Sequence, residues 1–235
     1  MIKQLEKTDN KIVFETDIDI SLANAIRRSV GEIPILAIDE VDIYKNDSAL
    51  YDELLAHRLG LVPLENQKLK EGQTAQFKLK TKGDKGRVVV LSGVLGKGVV
   101  YPEMPLVLLD DGQELELVAR ARQGKGKEHA KYTPGLVFYR QLPKITISAD
   151  GEKHQELAEF YPNIFEFNGK LKVKNGWNCD LDNEDVKNFK GVEIKLTDDL
   201  VFVIESWGQI DTKEIFIESC KALKANLNDL PKTLK

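Results

Sequence analysis

The sequence predicts an α+β protein, and three features of the chain carry that expectation. It opens on a strand pattern followed by a helix pattern, its middle reads as strands separated by turn signals, and it closes on strand pattern and an amphipathic helix. In the opening "KIVFETDIDIS", Ile12, Phe14, Ile18 and Ile20 alternate with polar residues as in a half-buried strand. Ser21 then reads as an N-cap, and Leu22, Ile26, Ser29, Val30 and Ile33 recur at helical spacing up to Gly31 and Pro34. "ILAIDEVDIY" predicts a second strand and "SALYDELLAHRLGLVPL" a second helix, capped by Ser48, with Asp52 and Glu53 early and Gly60 and Pro63 at its close.

Beyond Leu64 polar, glycine-bearing loops flank "FKLKT", and "VVVLSGVLG", "MPLVLLDDGQELELVARAR" and "PGLVFYRQLPKITIS" supply strands with a turn signal at Asp111-Gly112. Residues 149–190 read as a short helix, a hairpin turning at Asn168-Gly169 and another short helix. "GVEIKLTDDLVFVIESWG" reads as a closing hairpin. The final helix gathers Ile215, Phe216, Cys220, Leu223 and Leu227 on one side. The opening and closing elements can share one layer with the middle inserted between them.

The bulk numbers narrow the function. With 235 residues, 42% hydrophobic and 31% charged, the chain is long enough for one large domain or several small ones with real cores. A net charge of −4 is unlike a stand-alone nucleic-acid binder, which is more often basic. Cys179 and Cys220 are too few for a disulfide framework or an all-thiolate zinc site and fit a reducing compartment. No signal-peptide core is present, and no apolar run approaches the roughly 20 residues of a membrane span, so a cytoplasmic location is expected.

Several short motifs have two readings on residues alone. Arg27 and Arg28 are either a solvated pair or an interface contact. His57 with Arg58 suggests a catalytic base or a structural helix end, but no nucleophile or phosphate loop lies nearby in sequence. "GKGKEHAKY", Gly124 to Tyr132 with His129, lacks the Walker spacing and Lys-Ser/Thr ending, which leaves a flexible basic loop. "DLDNED", Asp180 to Asp185, lacks the central Gly and terminal Glu of a calcium loop. No aspartate set resembles a polymerase metal triad. A hydrolase using His57 or His129 and a nucleic-acid-binding module using Arg27, Arg28 and the basic loop both stay open at this level.

"LANAIRRSVGEIPILAIDEV" followed by "LYDELLAHRLGLVPL" resembles the D-type family of archaeal DNA-directed RNA polymerase subunits, which includes the bacterial alpha N-terminal domain and the third-largest eukaryotic subunit. The likeness continues in "GKGKEHAKYTPGLVFYRQLPKITI" and in "FVIESWGQI" with the last helix, so it spans essentially the whole chain, and the length favours the archaeal form.

The resemblance implies an alpha-like dimerisation domain from residues 1–46 and 192–235, an inserted mainly β domain at 47–147, and a small ferredoxin-like domain at 148–191. It implies a dimer interface through Leu22, Ile26, Val30, Ile33, Phe216, Cys220, Leu223 and Leu227, and large-subunit contacts through Arg27, Arg28, His57 and Arg58. The implied partners are subunit L, subunits N and P and the large catalytic subunits, with DNA met only through the complex and no catalytic residue in this chain. Iron–sulfur members supply several cysteines from the third domain. Here that segment holds only Cys179, so the domain is expected to lack a cluster and the chain to carry no cofactor or metal.

Overall fold

The computed structural model describes residues 2–70 and 72–233. In chain order its elements are β1 (Ile2–Lys7), β2 (Lys11–Thr16), α1 (Ile20–Ser29), β3 (Ile35–Asn46), α2 (Asp52–Gly60), β4 (Ala75–Lys82), β5 (Val88–Leu91), β6 (Pro105–Leu109), β7 (Glu114–Gly124), β8 (Gly135–Ile147), α3 (Gln155–Phe160), β9 (Phe165–Phe167), β10 (Leu171–Val173), β11 (Val192–Ser206) and α4 (Thr212–Thr233). The chain divides into two compact units, one of residues up to Ala23 with Phe138–Val203, the other of Asn24–Val137 with residues from Ile204 on.

The first unit is built on a four-stranded sheet ordered β1-β2-β11-β8. β1 and β2 pair antiparallel from Ile2↔Thr16 to Lys7↔Ile12, with a bulge between Gln4 and Glu6. Pro143 lies in β8, at the sheet edge, where its missing N–H is least costly. Leu200, Val201, Phe202 and Val203 are consecutive and all buried, the mark of a strand covered on both faces. The Phe202 ring stacks between Phe14 (5.4 Å) and Tyr139 (5.7 Å).

Two expectations fail in this unit. Residues 192–206 form one strand of 15 residues, not a hairpin. Asp198-Asp199 brings no glycine or asparagine to adopt a hairpin's left-handed turn, and the Thr197 hydroxyl donates to the Leu142 carbonyl at 2.9 Å, which keeps the chain extended. The expected second short helix near 183–190 is a series of turns. The Asp182 carboxylate accepts from the Glu184 and Asp185 amides at 2.7 and 3.2 Å, offering the backbone a turn in place of a helix. The first short helix and the hairpin do form, the latter around Gly169 at φ 74. They enclose a core of Leu157, Ile164, Phe165, Leu171, Val186 and Cys179.

The second unit centres on a three-stranded antiparallel sheet, β3-β7-β4. Alternation along β7 sends Leu115, Leu117, Ala119 and Ala121 into the core, where they meet Leu55 and Leu59 of α2 and Leu106 and Leu109 of β6. The opposite face is a ladder of ion pairs: Glu114 with Lys45 and Lys82, Glu116 with Lys80, and Arg120 with Glu40 and Asp42. Lys45 and Lys82 hold the Glu114 carboxyl down to about 2. Lysines 78, 80 and 82 line the edge strand β4 and discourage further strands from adding. Asp111-Gly112 does turn the chain, with Gly112 at φ 79, but it is a corner rather than a hairpin: β6 pairs with β5, and β7 with β3 and β4.

Both expected helix caps move. α1 begins at Ile20, and the Asp19 carboxylate accepts from the Ser21 amide at 2.7 Å. The stronger acceptor, one turn position earlier, takes the role assigned to Ser21. α2 begins at Asp52, because Ser48 is held in a turn where its amide and hydroxyl donate to Asn46 Oδ1 at 3.1 and 2.6 Å.

Candidate functional site

α1 carries the arginine pair. Arg27 Nε and Nη2 donate to Asn24 Oδ1 at 3.1 and 2.9 Å, which lays that guanidinium along its own helix. Arg28 is exposed with no hydrogen bond or ion pair among the described residues. Ile26, Val30 and Ile33 are buried within this chain. Leu22 lies outside that buried stripe at 46% exposure, and Ala23 fills the inward position, since 100° per residue carries 23, 26 and 30 together.

α4 is two helices in character. Its first turns are anchored by Thr212, Ile215 and Ser219, all fully buried. Phe216, Cys220 and Leu223 are half-buried, and beyond Leu223 every described side chain is exposed, Leu227 at 55% and Leu230 at 53%. Leu223, Leu227 and Leu230 stand at i, i+4 and i+7, one continuous apolar stripe with no cover.

Arg58 and His57 leave α2 differently. Arg58 Nη2 donates to the Pro105 carbonyl at 2.6 Å and ties the helix to β6. His57 is exposed with no hydrogen bond among the described residues, and it shares a depression of about 230 Å³ with His129, Asp39 and Lys131. His129 Nδ1 accepts from the Lys131 amide at 3.1 Å. Asp39 receives Arg122 Nε at 2.7 Å, Lys131 Nζ at 2.8 Å and the Tyr132 hydroxyl at 2.9 Å. Burial opposes its charge, but those donors outweigh burial and hold the carboxyl far below its usual range. Burial, with Asp39 beside it, pushes the Tyr132 hydroxyl up.

The loop 124–132 is therefore not a free basic arm. Lys125 faces Glu32 at 3.3 Å, Lys127 pairs with the same carboxylate, and Lys131 with Asp39. Glu32 is nearly buried, and its carboxyl is lowered first by Lys127 against the cost of burial. A Cβ on Gly124 would lie 2.6 Å from the Tyr132 ring, and one on Gly126 3.0 Å from Gly31, so the glycines serve close packing rather than a phosphate cradle. With its cations taken, the loop offers little to a nucleic-acid backbone.

The cysteines sit in apolar settings. Cys179 is 3% exposed inside the α3–β9–β10 core, and burial raises its thiol. Burial also raises the half-buried Cys220 on α4. Among the described residues no three His, Cys, Asp or Glu side chains are grouped to hold a metal. A thiol kept protonated among Leu157, Ile164 and Phe165 does not fit an iron–sulfur cluster.

One surface escaped the sequence reading. Leu61, Met104, Tyr101, Trp207 and Lys131 border a second depression of about 320 Å³. The sequence signal was the Trp-Gly pair in "ESWG", which reads as strand end until Trp207 proves half-exposed between the buried Ser206 and Gln209. No helix among the described residues is long and apolar enough to cross a membrane.

Residues 13–227 match the RNA polymerase Rpb3/Rpb11 dimerisation domain. The chain is 33% identical to the DNA-directed RNA polymerase subunit Rpo3 of Pyrococcus horikoshii, over 91% of this chain and 90% of that one. It is 36% identical to the Rpo3 of Methanothermobacter thermautotrophicus over 93% of each chain. The Rpo3 of Archaeoglobus fulgidus is 30% identical, over all of this chain and 97% of its own. With most of its length inside that domain and an exposed apolar helix stripe of the kind a dimer covers, the chain belongs to the RNA polymerase Rpb3/Rpb11 dimerisation-domain family.

Proposed function

We propose that the chain is the non-catalytic assembly platform of a DNA-directed RNA polymerase, of the archaeal D type. It pairs with a subunit-L-like chain and then receives subunits N and P and the large catalytic subunits. The observation that carries this is the bare stripe of Leu223, Leu227 and Leu230, whose burial against a partner helix would remove apolar surface from water. The family membership makes that partner another polymerase subunit. In this reading residues 1–46 and 192–235 form the dimerisation domain, 47–147 the insert and 148–191 a degenerate ferredoxin-like domain. Arg27, Arg28, His57 and Arg58 face large subunits, Arg28 being the one whose guanidinium is free to form a paired contact with a carboxylate. The mechanism is pre-organisation: the dimer fixes where the catalytic halves meet, in the cytoplasm, and DNA is met only through the complex.

Co-expression with a subunit-L-like chain is expected to give a soluble heterodimer, while the chain alone self-associates through α4. Leu227→Asp places a charge in the covered stripe and is expected to weaken the pair by about 2 kcal/mol or more, roughly 30-fold in Kd by size-exclusion and titration. A chain that stays monomeric beside that partner refutes the platform reading.

The third segment is proposed to work without an iron–sulfur cluster, its core filled by the protonated Cys179 thiol and its neighbours. Anaerobically purified chain is expected to show substoichiometric iron and no visible absorption from sulfide-to-iron charge transfer. One iron or more per chain, retained on desalting, overturns this.

A further inference from the structure

The two depressions of the second unit share Leu61 and Lys131 and so form one groove, from Trp207 at the wide end to His57 and His129 at the narrow end. Resting on the assembly reading, we infer that this groove seats an extended segment of another polymerase subunit, with an aromatic or large aliphatic side chain against Trp207 and a carboxylate between the two histidines. The groove joins stretches far apart in sequence: the end of α2, the loop 124–132 and the turn after β11.

The wide end is a built apolar wall. Gly208 takes φ 87, and a Cβ there would lie 2.6 Å from Val100 Cγ1 and 2.8 Å from the Tyr101 hydroxyl. The Trp207 amide donates to the Pro134 carbonyl at 3.0 Å, and Gln209 Nε2 donates to the Leu36 carbonyl at 3.4 Å. Backbone on both sides of Trp207 is thus fixed, yet the indole stays 44% exposed and Leu61 beside it 48%. A rigid frame that holds a tryptophan and a leucine in water fits an anchor from outside.

The narrow end selects the anchor's charge. Asp39 is already occupied by Lys131, Arg122 and Tyr132, so it has little accepting capacity to offer. His129 uses Nδ1 to accept from the Lys131 amide, which puts the proton of the neutral ring on Nε2 as an outward donor. His57 has no hydrogen-bond partner among the described residues and becomes a donor on either nitrogen. What is unfilled there is donors beside an ammonium, and a carboxylate complements them.

The test places the photo-crosslinker p-benzoylphenylalanine at Leu61 in the assembled polymerase and maps the products by mass spectrometry. The expected product is one segment of another subunit in which Asp or Glu stands within a few residues of Trp, Phe, Tyr or Leu. His57→Ala removes no bond internal to the chain, so it leaves the fold intact, and it is expected to weaken retention of that subunit roughly tenfold. Replacing the segment's carboxylate by its amide is expected to give a similar loss that does not add to that of His57→Ala. A chain that never enters the polymerase overturns the assembly reading and this one together. A chain that assembles normally but crosslinks to scattered sites, to nucleic acid, to a small molecule or to nothing overturns the groove alone.

Discussion

Phe202→Ala is expected to destabilise the first unit by about 3–5 kcal/mol, the range for truncating a buried aromatic ring. Phe202 is fully buried in β11, stacked against Phe14 of β2 at 5.4 Å and an interplanar angle of 8°, and against Tyr139 of β8 at 5.7 Å. One ring therefore joins three strands of the β1-β2-β11-β8 sheet, and its removal leaves a cavity that no single neighbour can fill. Against a total stability of about 5–15 kcal/mol, the loss takes a large share and leaves the variant partly unfolded near physiological temperature. Urea titration checks it through Trp177, which packs on the Val13, Val201 and Val203 cluster of the same unit. A Trp207→Phe background leaves Trp177 as the only indole. A midpoint displaced by less than about 1 kcal/mol in free energy would mean that the stack is ornamental to folding.

That ring also shows where sequence reading stops. Five apolar residues from Leu200 to Ile204 do not alternate, and a run without period fits a buried strand as readily as one arm of a hairpin. Partners on both faces decided the matter, and those partners come from elsewhere in the chain. The caps tell a similar story at shorter range. Ser21 and Ser48 are good capping residues by type, yet Asp19 and Asn46 were closer acceptors for the same donors, a competition visible only once the turns are built. Leu22 against Ala23 turned on 100° of helix phase, which hydrophobicity alone does not choose.

The β-rich middle was legible because β7 alternates cleanly and because its two faces meet unlike environments, core on one side and an ion-pair ladder on the other. The α4 stripe was legible too, since its spacing is regular, although whether such a stripe is core or interface depended on seeing it uncovered. The groove was not. His57, His129 and Trp207 are separated by 72 and 78 positions, and no local pattern links a helix end, a loop and a strand end.

Asp39→Ala is expected to cost about 3 kcal/mol, the low end for breaking a buried charge pair, because the Asp39 side chain keeps 28% of its surface in water. The change strands three donors at once. Lys131, whose side chain is only 13% exposed, loses its partner at 2.8 Å; Arg122 keeps only Glu128; and the Tyr132 hydroxyl, on a ring 1% exposed, has no other acceptor among its hydrogen bonds. Asp39→Asn keeps an acceptor and the side-chain volume, so it is expected to lose less than the alanine variant. The same carboxylate sets an acid dependence. Its folded pKa lies below the ordinary value of about 3.9, so the stability it contributes is fully present above roughly pH 4 and declines as pH falls toward the folded pKa. Equilibrium unfolding between pH 7 and pH 2.5 is therefore expected to converge for wild type and Asp39→Asn at the acid end and to diverge above pH 4. Parallel curves across that range would show that the Asp39 charge contributes nothing to the fold. Since Lys131 and His129 form the narrow end of the groove through one shared loop, the alanine variant is also expected to loosen that loop and raise hydrogen exchange across residues 124–132, with the α4 anchor at Ile215 and Ser219 left as protected as before.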